Sequence, residues 1–240
     1  MPPTSARKRG RPIRVSREAV VAATTQLLIT EGLGGFSMRR LAGELGVSTA
    51  AIYHHFPTRN ALFFAVLSAR ADELDRPQLP DDPRDRLVTI VVYLIDTLDQ
   101  LPWVLDILVR GETFGRAAIW ILDGFISAAN ELGASDAEAL WMYNVMWRFA
   151  LGELMTRRAA DERRQATSEG QPPPHWTDTA TPELLADFPA VVRLLPQWST
   201  AAARYSTAHA ARHIIDGLTL AIVDPDQHAE TGPDPRPCRP

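Results

Sequence analysis

Cysteine occurs once among the 240 residues, as Cys238 in a proline-rich tail. That excludes an internal disulfide and a cysteine-built zinc site, and it suits a reducing compartment. No apolar run reaches membrane-spanning length and no apolar leader opens the chain, so the expectation is a cytoplasmic protein with no membrane partner. Strand-like alternation, internal repeats, GxGxxG and Walker loops are all missing, and no Ser/His/Asp spacing can be defended. An enzyme is therefore not expected, and neither is a metal or an organic cofactor. What remains is helical periodicity in a chain that is 45% hydrophobic and 22% charged, ordinary values for a globular protein.

The net charge of −4 conceals an asymmetry. From Met1 to Arg70 ten basic residues face three acidic ones, a surplus of seven, which leaves −11 on the rest. A basic front on an acidic body is the electrostatic footprint of a nucleic-acid module joined to something else. Residues 1–15 are expected to be a flexible basic arm containing Arg7, Lys8, Arg9, Arg11 and Arg14. Its Arg9-Gly10-Arg11-Pro12 core suits either insertion into a narrow minor groove or a generic basic tail.

The most informative stretch is Ser37–Arg59, SMRRLAGELGVSTAAIYHHFPTR. Leu41, Ala42 and Leu45 share one helical face. Gly46 follows where a helix end needs positive φ, and Val47 is an apolar plug. Ser48 can cap a second helix, in which Ile52 and Phe56 face inward until Pro57 stops it. A helix, a glycine turn and a helix of this size make the helix-turn-helix plan, whose second helix enters the major groove. Thr49 and Ala50 are small enough to let that helix approach base edges. Tyr53, His54 and His55 can donate to phosphates, as can Ser37 at its helix N-terminus. Of Arg39 and Arg40, one should reach DNA; Arg39, Thr49 and Ala50 are the expected base readers.

Over roughly Ser16–Leu67 the chain closely resembles the TetR family of transcriptional repressors. Leu41, Ala42, Gly46, Val47, Tyr53, His55, Phe56, Arg59 and Leu62 carry the resemblance. Arg59 stands where lysine is usual, offering a forked donor for phosphate, and Met38 where many members have threonine. The resemblance implies an all-α protein with a three-helix helix-turn-helix domain at residues 16–75. It also implies a larger helical effector-binding and dimerisation domain at 81–223, in which two helices pair with their copies as a four-helix bundle. The implied partners are a double-stranded DNA operator, a second copy of the chain and a small-molecule effector.

Within the second domain, helices are expected from Pro83, from Pro102, over Thr113–Leu132, over Ser135–Ala160, from Pro182 to Val192 and over Thr200–Val223. Residues 161–181 read as a mobile loop and 224–240 as a disordered tail. The Ser135–Glu138 stretch is a capping box, and the helix after it carries two apolar faces, so it needs two partners. Residue by residue, Trp103, Phe114, Trp120, Trp141 and Trp147, with Asn144 and Arg148 on the same helix as the last two, suit an ordinary core; it is the resemblance that implies they are the effector-binding residues. His209 and His213 lie four apart, a spacing that can chelate a metal, but with no third ligand they read as surface or interface residues. The functional expectation is a repressor released from its operator by an effector. The alternative is a DNA-binding or partner-docking protein with no effector; an enzyme using His54 and His55 lacks a supporting carboxylate or nucleophile.

Overall fold

The computed structural model describes residues 15–111, 113–168, 170 and 175–223. The basic arm with Arg9 and Arg11, the Pro172–Pro174 run and the 224–240 tail with Cys238 lie outside the described residues. The described chain is helical, without a strand. It divides into two units: residues 1–75 with 101–119, and residues 76–100 with 120–240.

The first unit begins with α1 (Arg17–Gly35), capped by Ser16, whose hydroxyl accepts the Ala19 N–H. Gly32 takes φ 66°, a left-handed conformation that breaks the helix after Glu31. Then come α2 (Met38–Leu45), α3 (Thr49–His55) and α4 (Arg59–Asp72), the last capped by the Thr58 hydroxyl. Val20, Leu27, Leu28, Leu41, Ile52, Phe56, Leu62 and Val66 make the core. Phe36 packs its ring 5.1 Å from Phe63.

The unit also takes in α6 (Pro102–Val109) and the short 3-10 turn Arg116–Ala118. This differs from the expected boundary between 75 and 81, which would have left them in the second domain. The reason is close packing after the turn at Gly111. The Arg116 N–H donates to the Ser68 hydroxyl at 2.9 Å, and Phe114 meets Phe64 edge-on at 5.3 Å. A Cβ on Gly115 would sit 2.8 Å from the Leu67 carbonyl oxygen. Only glycine permits that approach of backbone to backbone.

The second unit is built on α5 (Pro83–Asp99), α7 (Ile119–Glu131), α8 (Asp136–Ser168) and α12 (Thr207–Val223), with the short helices α9 (Trp176–Thr179), α10 (Pro189–Leu194) and α11 (Trp198–Ala202) between the last two. α5, α8 and α12 pack mutually, burying Leu87, Val91 and Ile95 of α5, Met142, Met146 and Leu154 of α8, and Ala211 and Ile215 of α12. The capping box at the start of α8 is present: the Ser135 N–H donates to Glu138 Oε2 at 2.8 Å and the Glu138 N–H to Ser135 Oγ at 3.4 Å.

Four expected elements differ. α8 continues to Ser168, eight residues into the segment read as loop, because Asp161 pairs with Arg164 and the Thr167 and Ser168 hydroxyls bond back to carbonyls of their own helix. The segment around Phe188 is a run of turns until Pro189 opens α10; a proline lacks the N–H that an interior position needs. The helix expected from Thr200 is interrupted at residues 203–206, so α12 starts only at Thr207. The helix expected from Thr113 starts at Ile119, after Gly115 has met Leu67.

Arg157 of α8 ties the unit together. It reaches Asp96 at 2.9 Å, Asp99 at 3.1 Å and the Thr207 hydroxyl at 3.0 Å. Glu153 accepts from Tyr205 and Thr207, each at 2.7 Å. Burial pushes the Glu153 carboxyl upward, but the hydrogen bonds from Tyr205, Thr207 and Arg157 outweigh it and hold the group below its usual range. Burial and the Glu153 charge together push the Tyr205 phenol up to about 12.

Two predictions follow from this packing. Gly115→Ala should destabilise the first unit by about 1–3 kcal/mol in urea denaturation, because the new methyl has only backbone to displace. A carboxylate whose folded pKa is depressed contributes stability above its unfolded pKa and loses it as pH falls through the folded value. Glu153→Gln should therefore lower the melting temperature at pH 7 and leave a shallower fall in stability between pH 5 and 3 than the parent shows.

Candidate nucleic-acid interface

α3 has seven residues, too few for a helix to stand alone. Three local devices hold it. Gly46 takes φ 64°, ψ 29°, and its N–H bonds back to α2 while the Val47 N–H reaches the Ala42 carbonyl at 3.0 Å. The Ser48 hydroxyl accepts the Ala51 N–H at 3.3 Å. Ile52 and Phe56 are wholly buried. The Arg17 guanidinium lies 4.3 Å above the Phe56 ring and donates to the His55 carbonyl at 3.2 Å. Sequence reasoning missed Arg17, whose partners lie almost forty positions away. The Thr58 cap was also missed, although a threonine just before an apolar helix is a legible start signal.

The outer face of α3 carries the expected readers. Ala50 and His54 are exposed, Thr49 is half-buried, and Tyr53 is 47% exposed. The histidines divide. His55 Nε2 donates to the Val15 carbonyl at 2.9 Å and so pins the chain entering α1, whereas His54 is left on the surface. The arginines divide as well. Arg40 binds Glu31 at 2.7 Å and Glu44 at 3.1 Å, and the hydrogen bond to Glu31 raises its pKa. Arg39 is exposed and makes no ion pair among the described residues. Arg59 lies over Phe63 at 4.8 Å and Phe36 at 5.4 Å, an aromatic seat that keeps its planar fork at the start of α4. Ser37 and Ser48 each accept a backbone N–H. A hydroxyl that accepts in this way still has its own proton to donate, so both remain competent toward a phosphate.

The candidate effector residues are placed differently. Trp103 and Phe114 belong to the first unit, and Trp120, Trp141, Asn144, Trp147 and Arg148 to the second. Trp103 is buried, and its Nε1 finds no acceptor among the described residues. Trp120 packs on Tyr93 at 5.4 Å, and Trp147 is half-buried. Trp141, 58% exposed, and Arg148 lie on the outward stripe of α8, away from that packing. The Asn144 amide donates to the Leu140 carbonyl at 2.9 Å and Arg148 to the Asn144 carbonyl at 3.0 Å. Among the described residues no cluster of three His, Cys, Asp or Glu side chains could hold a metal ion.

A capped two-turn helix with an exposed face of small and hydrogen-bonding residues, seated behind a left-handed glycine, defines a helix-turn-helix DNA-binding module. Residues 20–66 match the family model of the bacterial regulatory proteins of the tetR family. It is 25% identical over 165 residues to the HTH-type transcriptional repressor DrrR1 of Streptomyces coeruleorubidus, covering 66% of this chain and 60% of that protein. It is 33% identical over 84 residues to the nucleoid occlusion factor SlmA of Vibrio campbellii, covering 33% of this chain and 43% of that one. The chain thus spans less than two thirds of either relative's length. Its fold is similar to that of ActR from Streptomyces coelicolor, solved in complex with actinorhodin, with a TM-score of 0.61 and 17% identity over 88% of this chain and 98% of that one. No single helix among the described residues is long and apolar enough to cross a membrane.

Proposed function

We propose that this chain is a cytoplasmic, sequence-specific transcriptional repressor that binds its operator as a homodimer and leaves it when a small molecule binds. The observation that carries the DNA-binding half is the exposed surface of the helix pair, with Tyr53 and His54 exposed on α3 and Arg39 exposed on α2 without an ion pair among the described residues. α3 reads the major groove; Arg39, Thr49 and Ala50 meet base edges; Ser37, Tyr53, His54 and Arg59 hold phosphates.

The outer faces of α8 and α12 support the homodimer. On α8 the stripe Trp141, Arg148, Gly152, Met155 lies opposite the buried stripe, with Met155 71% exposed. On α12 Leu220 is 68% exposed and Gly217 has open space before it. Apolar and small residues along two adjacent helices suit close packing against a second copy. Two copies reading half-sites of a palindrome supply the base pairs that one short helix lacks. The solved ActR–actinorhodin complex and the buried Trp103 indole, which finds no acceptor among the described residues, support the effector half. A coupling of about 1–3 kcal/mol would change operator affinity roughly 5–150-fold.

The likeness to a nucleoid occlusion factor favours a second reading, a DNA-bound docking protein without an effector. Gel shifts on a duplex selected from a random pool separate the two: release by at least one compound class supports the repressor, and no response to any supports the docking protein. On the same duplex, Tyr53→Ala should weaken binding about tenfold and Arg39→Ala should cost about 1–3 kcal/mol with relaxed preference at one base pair, both without loss of melting temperature. Unfolding of Tyr53→Ala would show that the side chain is core and sink the interface as drawn.

A further inference from the structure

The histidine pair of α12 has no part in DNA reading or in the core, and its geometry is specific. Ala211, Ile215 and Thr219 are the buried face of this helix, and His209 and His213 stand exposed on the opposite side. The two Nε2 atoms face each other at 2.7 Å, and the ring centroids are 4.4 Å apart. Two imidazoles one turn apart could turn away from each other into solvent; here both ring nitrogens converge on one point. Without an ion this contact needs one ring to donate and the other to accept. A cation placed outside the pair would take both lone pairs at once.

We propose that His209 and His213 form a chelating site on α12 for a nitrogen-preferring, late first-row divalent cation such as Ni²⁺ or Zn²⁺. Metal–imidazole bonds of about 2.0–2.1 Å place two nitrogens about 2.9 Å apart at a right angle and about 3.3 Å apart in a tetrahedron. The observed separation is within a few tenths of an ångström of the first and needs a small χ adjustment for the second. No third His, Cys, Asp or Glu is in range among the described residues, so water or the second copy fills the remaining positions. The flanking cations do not oppose the ion, because Arg212 pairs with Asp85 and Arg84 with Asp216 at 3.6 Å. Hard cations that prefer six or more oxygens, Mg²⁺ among them, have no match here. Bound metal clamps one turn of α12 next to the Thr207–Glu153–Arg157 network, and it binds the folded helix only, so it raises thermal stability by mass action.

The test is calorimetric titration of the tag-free full chain with NiCl₂, ZnCl₂ and MgCl₂, alongside melting curves with and without EDTA. The expected result is micromolar binding of Ni²⁺ and Zn²⁺ at one ion per chain, or one per two chains where copies share it. Mg²⁺ should not bind, and the melting temperature should rise. His209→Gln and His213→Gln should each lose this binding while keeping the EDTA melting temperature of the parent. In the unmodified chain, Ni²⁺ should broaden the ring signals of His209 and His213 in NMR before those of His54, His55 or His175. Binding that survives both substitutions, broadening that begins at another histidine, or no binding below millimolar Ni²⁺ would overturn the proposal. Sedimentation in the same titration reports the dimer separately, since both ligands come from one helix.

Discussion

A two-turn helix has almost no stability of its own, and the first unit is organised to hold one in place. Fixing its backbone costs about 1–2 kcal/mol per residue, more than its few internal hydrogen bonds return. The deficit is covered from outside: the Ser48 cap at one end, Phe56 and Arg17 at the other, Ile52 beneath, and Gly46 setting the angle of approach. The side chains that do this face inward or lie at the ends. The outer face is therefore free to carry residues chosen for a ligand, which is why Tyr53 and His54 can be exposed at no cost to the fold.

The same economy separates side chains that look equivalent in the sequence. His54 and His55 are neighbours, yet a helix turns about 100° between them, and only His55 reaches the Val15 carbonyl. Arg39 and Arg40 are neighbours too, and only Arg40 reaches two carboxylates. In each pair one member stabilises the module and the other stays exposed on its surface. A phosphate could draw Arg40 away only by replacing Glu31 and Glu44, whereas Arg39 has nothing among the described residues to give up.

In the second unit α8 carries two jobs at once. Met142, Met146, Ala150 and Leu154 fill the interior, and the Arg157–Glu153 network binds α8 to α5 and to the segment leading into α12. The opposite stripe is open and partly apolar. The capping box and the two-faced pattern were legible because both are local, spanning four and about eighteen residues of chain. The extension of α8 to Ser168 was not, because charge and polarity alone do not distinguish a loop from a solvated helix held by ion pairs at helical spacing.

The chain's amino acids alone settled the helical class, the capped turn from Ser37 to Phe56 and the basic surplus at the front. Each rests on spacing within a few turns or on a sum of charges, and neither needs a third dimension. Only the tertiary structure decided that residues 101–119 pack with the first unit, through Gly115 against the Leu67 backbone. It alone decided that Arg17 closes over Phe56, and that the aromatic set from Trp103 to Trp147 is split between two units. Those contacts join residues tens of positions apart, and no periodicity records which distant surface a side chain will meet.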